Sequence, residues 1–231
     1  MRTIVYVDGY NLFYSLLTKS KFKWLNLIRL FEAHLLQNIL LPGTREPALF
    51  ELVRLKYFTA PILGRLAKDP SAPDRQAHYH RALKAAGGER LEIIRGFHLP
   101  ATTTGYPVDP PVPEAKRLKV TVMEEKQTDV NIALHMYRDA VWNHYDCAVL
   151  CSNDSDLEPV LKMIREDFPD KWLGLVLPRK ASNPGGRKSG KLARHAHWVR
   201  HQVHETELEA CQFPERLLDH RKRTIQRPEA W

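Results

Sequence analysis

The amino-acid sequence predicts an α/β domain built on a mostly parallel sheet. Short, β-branched apolar runs alternate with longer segments whose apolar residues recur at helical spacing. Residues 3–8 and Cys147–Cys151 are continuously apolar rather than alternating, the mark of strands buried on both faces. The chain has 231 residues, 43% of them hydrophobic, enough to build one core of ordinary domain size.

The elements follow in order. Residues 3–8 form a buried strand ending in a carboxylate, and a short helix over 11–17 follows it. In 25–41, Leu27, Leu30, Phe31, Leu35 and Ile39 recur with helical period, and Pro42-Gly43 stops that helix. A second strand spans 50–59. A helix over 73–86 is closed by Gly87-Gly88, and 91–99 is a third strand. The Pro-, Thr- and Gly-rich stretch 100–113 reads as an irregular insertion or hairpin tip, after which 119–123 returns as a strand. Thr128 is a candidate N-cap for a helix to about Trp142, with Val130, Ala133, Leu134 and Tyr137 on one face. Strand Cys147–Cys151, a helix over 156–168 with Pro159 in its first turn, and a strand over 172–177 complete the pattern. Such sheets place their sites at the carboxyl ends of strands, near the point where strand order reverses.

Composition excludes several classes. No apolar run approaches the ~20 residues that cross a bilayer, and no secretory leader is visible at the N-terminus. Cys147, Cys151 and Cys211 are too few and wrongly spaced for a disulfide framework or zinc ribbon. A cytoplasmic protein without membrane contact is expected, and a homo-oligomer is compatible with the sequence. Thirty-five Lys and Arg against 27 Asp and Glu give a net charge of +8, which suits a polyanionic partner, nucleic acid first. The excess is concentrated: residues 178–200 hold seven Lys or Arg and no Asp or Glu. Arg179, Lys180, Arg187, Lys188, Lys191 and Arg194 are therefore the candidate phosphate contacts.

Four carboxylates stand where a sheet would carry its site. Asp8 ends the first strand, Asp129 opens a helix after a strand and turn, and Asp154 and Asp156 follow Cys147–Cys151. Carboxylates brought together repel unless a proton is shared or a cation is present. Mg²⁺ or Mn²⁺, which prefer oxygen ligands, would resolve the conflict and support in-line phosphoryl transfer. Asn11 and Ser152 are placed to orient ligands, and Lys126 to neutralise a phosphate. Each acid has a plainer reading too, since Asp-Gly is a common turn and Asp near a helix start a common cap.

The motif Val7-Asp8-Gly9-Tyr10-Asn11-Leu12 resembles the opening motif of NYN domains, a branch of the PIN-like nuclease superfamily. Glu125-Lys126-Gln127-Thr128-Asp129-Val130 is similar to the family's second motif, and Ser152-Asn153-Asp154-Ser155-Asp156-Leu157 to its third. The LabA-like bacterial group is the branch most resembled. The resemblance implies a PIN-like three-layer α/β/α sandwich, a site of Asp8, Asp129, Asp154 and Asp156 supported by Asn11 and Ser152, and Mg²⁺- or Mn²⁺-dependent cleavage of phosphodiester bonds, with RNA more favoured than DNA. Ser189-Gly190-Lys191-Leu192 fits a further family segment, but Ala196-His197 stands where many relatives have Ala-Asp. Residues 1–205 would form the domain and 206–231 a helical, basic extension ending near Arg221-Lys222-Arg223.

Other constellations are weaker. His195, His197, His201 and His204 cluster, with His197 and His201 at helical spacing, but the segment lacks thiolate or carboxylate ligands for zinc. Cys147 and Cys151 read as core residues. No nucleotide-binding glycine loop is present, and Tyr10 stands where an Asp-x-Asp phosphatase needs its second acid. Tyr10, Phe13 and Tyr14 are candidates for stacking on bases, although Phe13 and Tyr14 are also expected to pack on the sheet. Beside the ribonuclease stand two alternatives: an RNA-binding or regulatory protein with little turnover, and a metal-assisted enzyme acting on a small phosphorylated or heterocyclic substrate.

Overall fold

The computed structural model describes residues 1–40, 46–64, 67, 69–107, 117–181, 190–229 and 231. A six-stranded sheet of β1 (Arg2–Asp8), β2 (Glu51–Thr59), β3 (Leu91–Arg95), β6 (Cys147–Cys151), β7 (Trp172–Val176) and β8 (Trp198–Arg200) runs in the order β3-β2-β1-β6-β7-β8. Every pairing in it is parallel. The order reverses between β1 and β6, so the crevice at that point lies between the carboxyl ends of these two strands.

The two-residue period of the strands divides the core. Val5, Val7, Leu55, Cys147, Val149 and Cys151 face one side. There they meet α1 (Gly9–Leu12, continuing as a wider turn over Phe13–Leu17), α2 (Leu27–Leu30, continuing over Phe31–Leu35) and α3 (Ala72–Gly87). Ile4, Tyr6, Phe58, Ala148, Leu150, Leu173 and Leu175 face the other side, against Ile132, Met136 and Ala140 of α4 (Thr128–Val141) and Val160, Leu161 and Ile164 of α5 (Glu158–Asp167). These are the three layers of the PIN-like sandwich. Cys147 and Cys151 are buried, free core residues.

Several elements differ from expectation. The helix expected over 25–41 ends at Leu35, because Asn38 takes a left-handed conformation and Leu40 pairs with Pro47, so that Ile39 reaches the core from a turn. The strand expected over 91–99 breaks at Gly96, whose N–H donates to Thr59 O at 2.8 Å. A Cβ there would stand 2.4 Å from Lys126 O, so only glycine lets the chain cross under the base of the next element. That element is a separate ribbon of β4 (Phe97–Gly105) and β5 (Leu118–Lys126), antiparallel and in register from Phe97↔Lys126 to Gly105↔Leu118. Residues 100–105 are thus strand and not irregular. Pro100 is tolerated because an isolated ribbon leaves one edge of each strand unpaired. The expected tip over 108–113 lies outside the described residues. Thr128 is not the cap of α4: Gln127, at φ 76°, makes the turn, and Thr128 is the first helical residue with its hydroxyl oxygen buried and unpartnered.

The C-terminal segment returns to the first core. From it Leu208 of α7 (Glu205–Ala210), Cys211, Phe213 and Ile225 are buried, and Trp24 packs between Phe213 (centroids 5.6 Å) and Trp231 (6.1 Å). Arg221-Lys222-Arg223 forms the turn between β9 (Arg216–Leu218) and β10 (Thr224–Gln226), held by Asp219 Oδ1, which accepts from the N–H groups of Arg221 and Arg223 at 2.9 Å each.

Among the described residues, one ion pair is buried on both sides. Lys56 of β2, 2% exposed, donates to Asp139 Oδ2 of α4 at 2.6 Å, and the Tyr6 hydroxyl donates to the same oxygen at 2.7 Å. Burial alone would raise the Asp139 carboxyl, yet these hydrogen bonds bring it below the ordinary carboxylate range. The pair ties α4 to the sheet at the end of the helix opposite Asp129.

Candidate active site

The site is assembled at the carboxyl edge of the sheet, around the β1/β6 crevice. Asp8 is the last residue of β1 and 4% exposed. Its Oδ1 accepts from the backbone N–H of Asn11 at 2.9 Å, which also caps α1, and its Oδ2 accepts from Ser152 Oγ at 2.9 Å. Asp8 therefore caps α1 while its carboxylate stays in the crevice. Gly9 is more than a turn residue, since a Cβ there would come within 2.5 Å of Phe58 O and 2.7 Å of the Tyr57 ring. Its absence lets α1 start flush against β2 and keeps Asp8 in the crevice.

From the β6 side, Ser152 is fully buried. It donates to Asp8 and accepts from Asp154 N–H at 3.0 Å, while Asn153 N–H donates to Asn11 Oδ1 at 3.0 Å. Asn11 and Ser152 thus stitch the loops after β1 and β6 together. Asp154 Oδ1 accepts from Asp156 N–H at 3.0 Å, which starts the turn Ser155–Leu157 and leaves the Asp156 side chain exposed. Asp129 comes from the third direction, in the first turn of α4.

The electrostatics report the assembly. Asp8 is pushed up to about 6, first by burial and then, against hydrogen bonds from Asn11 and Ser152, by the charges of Glu125 and Asp154. Asp129 is also pushed up to about 6, by burial and by Asp8, Asp154, Glu125 and Asp156. Asp129 is raised by the other three expected carboxylates, and Asp8 by Asp154. A fifth, Glu125 at the end of β5, acts on both Asp8 and Asp129, and its Oε1 is buried without a hydrogen-bond partner. Glu125 belongs to the second motif, one residue before Lys126, but only the ribbon's geometry turns it inward.

The basic residues are distributed unevenly. Lys126 is half-exposed and pairs with Glu124 at 2.6 Å. Arg179 and Lys180 follow the carboxyl end of β7, on the same edge of the sheet as Asp8, and Lys180 lies 4.0 Å from Glu205. Lys191 and Arg194, both exposed, are on or just after α6 (Gly190–Ala193), which packs beside the Ser155–Leu157 turn through buried Leu192. Arg187 and Lys188 lie outside the described residues. The histidines do not form a site: Trp198–Arg200 is a strand, so His197 and His201 do not share a helical face. His197 stacks on Trp172 (centroids 5.0 Å, 16°) with Arg165 2.8 Å from Nε2, at the amino edge of the sheet and away from the carboxylates. Burial lowers its affinity for a proton.

The chain matches the NYN domain model over residues 2–183. It belongs to the NYN domain family. That family is one of the PIN-like nuclease families, as the resemblance of this chain's three motifs implied. A curated relative, named 6-hydroxy-3-succinoylpyridine 3-monooxygenase HspA, from Pseudomonas putida (strain DSM 28022 / S16), is 38% identical over 240 aligned residues covering 100% of this chain and 75% of its own. A crystal structure of a protein of unknown function from Vibrio parahaemolyticus RIMD 2210633 is similar at a TM-score of 0.47 and 16% identity, covering 88% of this NYN chain and 91% of that one.

Whether the carboxylates of this NYN domain suit a metal can be tested on the donors themselves. Among the described residues, no three His, Cys, Asp or Glu side chains are gathered closely enough to enclose an ion. Zinc, which wants a closed nitrogen or sulfur cage, does not fit. A hard cation such as Mg²⁺, commonly bound through one or two carboxylates plus water and substrate phosphate, does fit this all-oxygen set. The unpartnered Glu125 Oε1 and the raised Asp8 and Asp129 both mark unneutralised negative charge in the crevice.

Proposed function

We propose that this NYN domain is a Mg²⁺- or Mn²⁺-dependent phosphodiester hydrolase acting on RNA. The observation that carries the reading is the buried Asp8 at the sheet's reversal point, made hard to ionise by burial and by carboxylates from two other elements. A divalent cation bound through one or two carboxylates among Asp8, Asp154 and Asp129, with water and substrate phosphate completing its shell, would activate water and stabilise charge on a phosphoryl group. The chain's own residues do the rest. Ser152 and Asn11 fix the Asp8 carboxylate and lock the two catalytic loops to each other. Asp156, exposed at the rim, would complete the site or orient the attacking water. Lys126, Arg179, Lys180, Lys191 and Arg194 supply positive charge on the approach for the flanking phosphates.

The test is cleavage of labelled single-stranded and structured RNA, with DNA controls, in Mg²⁺, Mn²⁺ and chelator. Wild type should cleave only with metal, and Asp8→Asn and Asp154→Asn should not cleave while keeping their circular dichroism. Full cleavage by either variant would overturn the assignment of roles. Salt-sensitive binding with no cleavage in any divalent metal would favour the regulatory alternative.

A second reading is favoured by one observation, the full-length similarity to a protein named as a pyridine monooxygenase. On that reading the crevice takes a heterocyclic ring. Incubation with 6-hydroxy-3-succinoylpyridine, O₂ and a reduced nicotinamide, followed by loss of the substrate's absorbance, distinguishes it from hydrolysis.

A further inference from the structure

The ribbon and α1 place a pair of aromatic rings beside the carboxylates, and neither ring is needed by the core. Tyr10 and Tyr14 are one turn apart on the Gly9–Leu17 helical segment and stack with centroids 6.0 Å apart at 25°. Tyr14 is 64% exposed, which corrects the expectation that it packs on the sheet. Phe13 alone packs against the core, and it braces Tyr14 edge-on at 5.4 Å and 85°.

Tyr10 is held firmly. Its hydroxyl lies 3.2 Å from Ala60 O, to which it can donate, and 3.0 Å from His98 Nε2. His98 Nδ1 is 2.9 Å from Pro61 O. A carbonyl only accepts, so Nδ1 carries the proton, and the single Tyr10 hydroxyl proton is shared between Nε2 and the more distant Ala60 O. His98 stands directly opposite Glu125 in the β4–β5 ribbon, so its contact with the Tyr10 hydroxyl sets Tyr10 beside that acid. Helix rise sets Tyr14 roughly 9 Å from Asp8 along the segment. The result is one open aromatic face, backed by a second ring that cannot swing away, on the rim of an acidic crevice.

We infer that Tyr14, backed by Tyr10, is a stacking platform for one unpaired nucleobase of the RNA strand whose phosphodiester lies over the carboxylates. This rests on the hydrolase reading for its substrate class. A duplex keeps its bases stacked inside and cannot use the platform, so the site selects single-stranded or looped RNA. Every base offers a ring face, so the platform selects strandedness and not sequence.

The experiment is fluorescence polarisation of a labelled single-stranded oligoribonucleotide in Ca²⁺, with wild type, Tyr14→Ala and Tyr14→Phe. A series of oligonucleotides carries one abasic position, moved along the strand. Melting curves check that the variants are folded, as expected for a residue so exposed. Tyr14→Ala should weaken binding about 5- to 150-fold, the range for one base–aromatic stack, and Tyr14→Phe should bind as wild type does. One abasic position should weaken wild type similarly and leave Tyr14→Ala unaffected. Wild-type affinity in Tyr14→Ala, no abasic position masked by it, or no binding of single strands by wild type overturns the platform. The two readings fail separately. Tyr14-dependent binding without cleavage in Mg²⁺ or Mn²⁺ keeps the platform and removes the hydrolase. Cleavage with no Tyr14 dependence does the reverse.

Discussion

Replacing Asp8 by Asn should stabilise this protein at neutral pH while removing its activity. The folded carboxyl titrates near 6 against 3.8 for an unperturbed Asp, so the folded state holds the proton more tightly than the unfolded one. A raised carboxyl makes the charged form the costly one. The cost is absent below the unfolded value, grows as pH rises through the interval, and is complete above about 6. Two pKa units and a fraction correspond to about 3 kcal/mol at pH 7, falling to about 0.5 kcal/mol at pH 4. Asn removes that cost and keeps the contacts, because its oxygen can accept from Asn11 N–H and its amide can donate to Ser152 Oγ. Urea unfolding of wild type and variant at several pH values reads the difference. The variant should gain stability steadily between about pH 4 and pH 7, up to about 3 kcal/mol, or roughly 6–12 °C in Tm for a chain of this size. Saturating Mg²⁺ should narrow the gap by stabilising wild type alone. A difference that stays flat across this pH range, or that shrinks as pH rises, would refute the claim that Asp8 is strained by burial and neighbouring charge.

Other expectations follow from the same geometry. Glu125→Gln removes a charge that raises both Asp8 and Asp129. Calorimetric titration should show weaker Mn²⁺ binding, and the acidic limb of the pH–rate profile should move to lower pH. Lys56→Met removes the buried cation and leaves Asp139 only the Tyr6 hydroxyl and His144 Nδ1 as side-chain partners, and should cost about 3–5 kcal/mol in chemical denaturation. The double variant Lys56→Met/Asp139→Leu should recover most of that loss. Gly9→Ala drives a methyl against Phe58 O and the Tyr57 ring, and should lower stability by about 1–3 kcal/mol and displace Asp8 enough to impair cleavage. Lys191→Ala and Arg194→Ala should each reduce the slope of log affinity against log salt by about one unit if they contact phosphates. An unchanged slope would remove them from the interface.

Much of the fold was legible because its strands are buried on both faces. Runs such as Ile4-Val5-Tyr6-Val7 and Ala148-Val149-Leu150 have few alternatives to a central parallel strand. The segments that misled are those where long-range contacts override local pattern. Ile39 keeps helical spacing although its helix has already ended, and Pro100 sits in a strand that only an isolated ribbon tolerates. Thr128 has the chemistry of a cap, but the turn belongs to Gln127. In the site, Asp8, Asn11, Ser152 and Asp154 were readable because each lies next to a strand end and bonds within its own loop or to the adjoining one. Glu125 and His98 were not, since their roles depend on where a ribbon stands over the sheet.

The sequence by itself determined the α/β class, the family, and the four carboxylates placed at strand ends, because these follow from local periodicity and from motifs a few residues long. Only the tertiary structure decided which charges act together. The parallel order brings Asp8, Asp129 and Asp154 to one crevice, and the Gly96 crossing swings β5 so that Glu125 joins them and His98 holds Tyr10. The same packing withdraws water from Asp8 and raises its proton affinity. Desolvation depends on every neighbour in space, and no spacing along the chain records it.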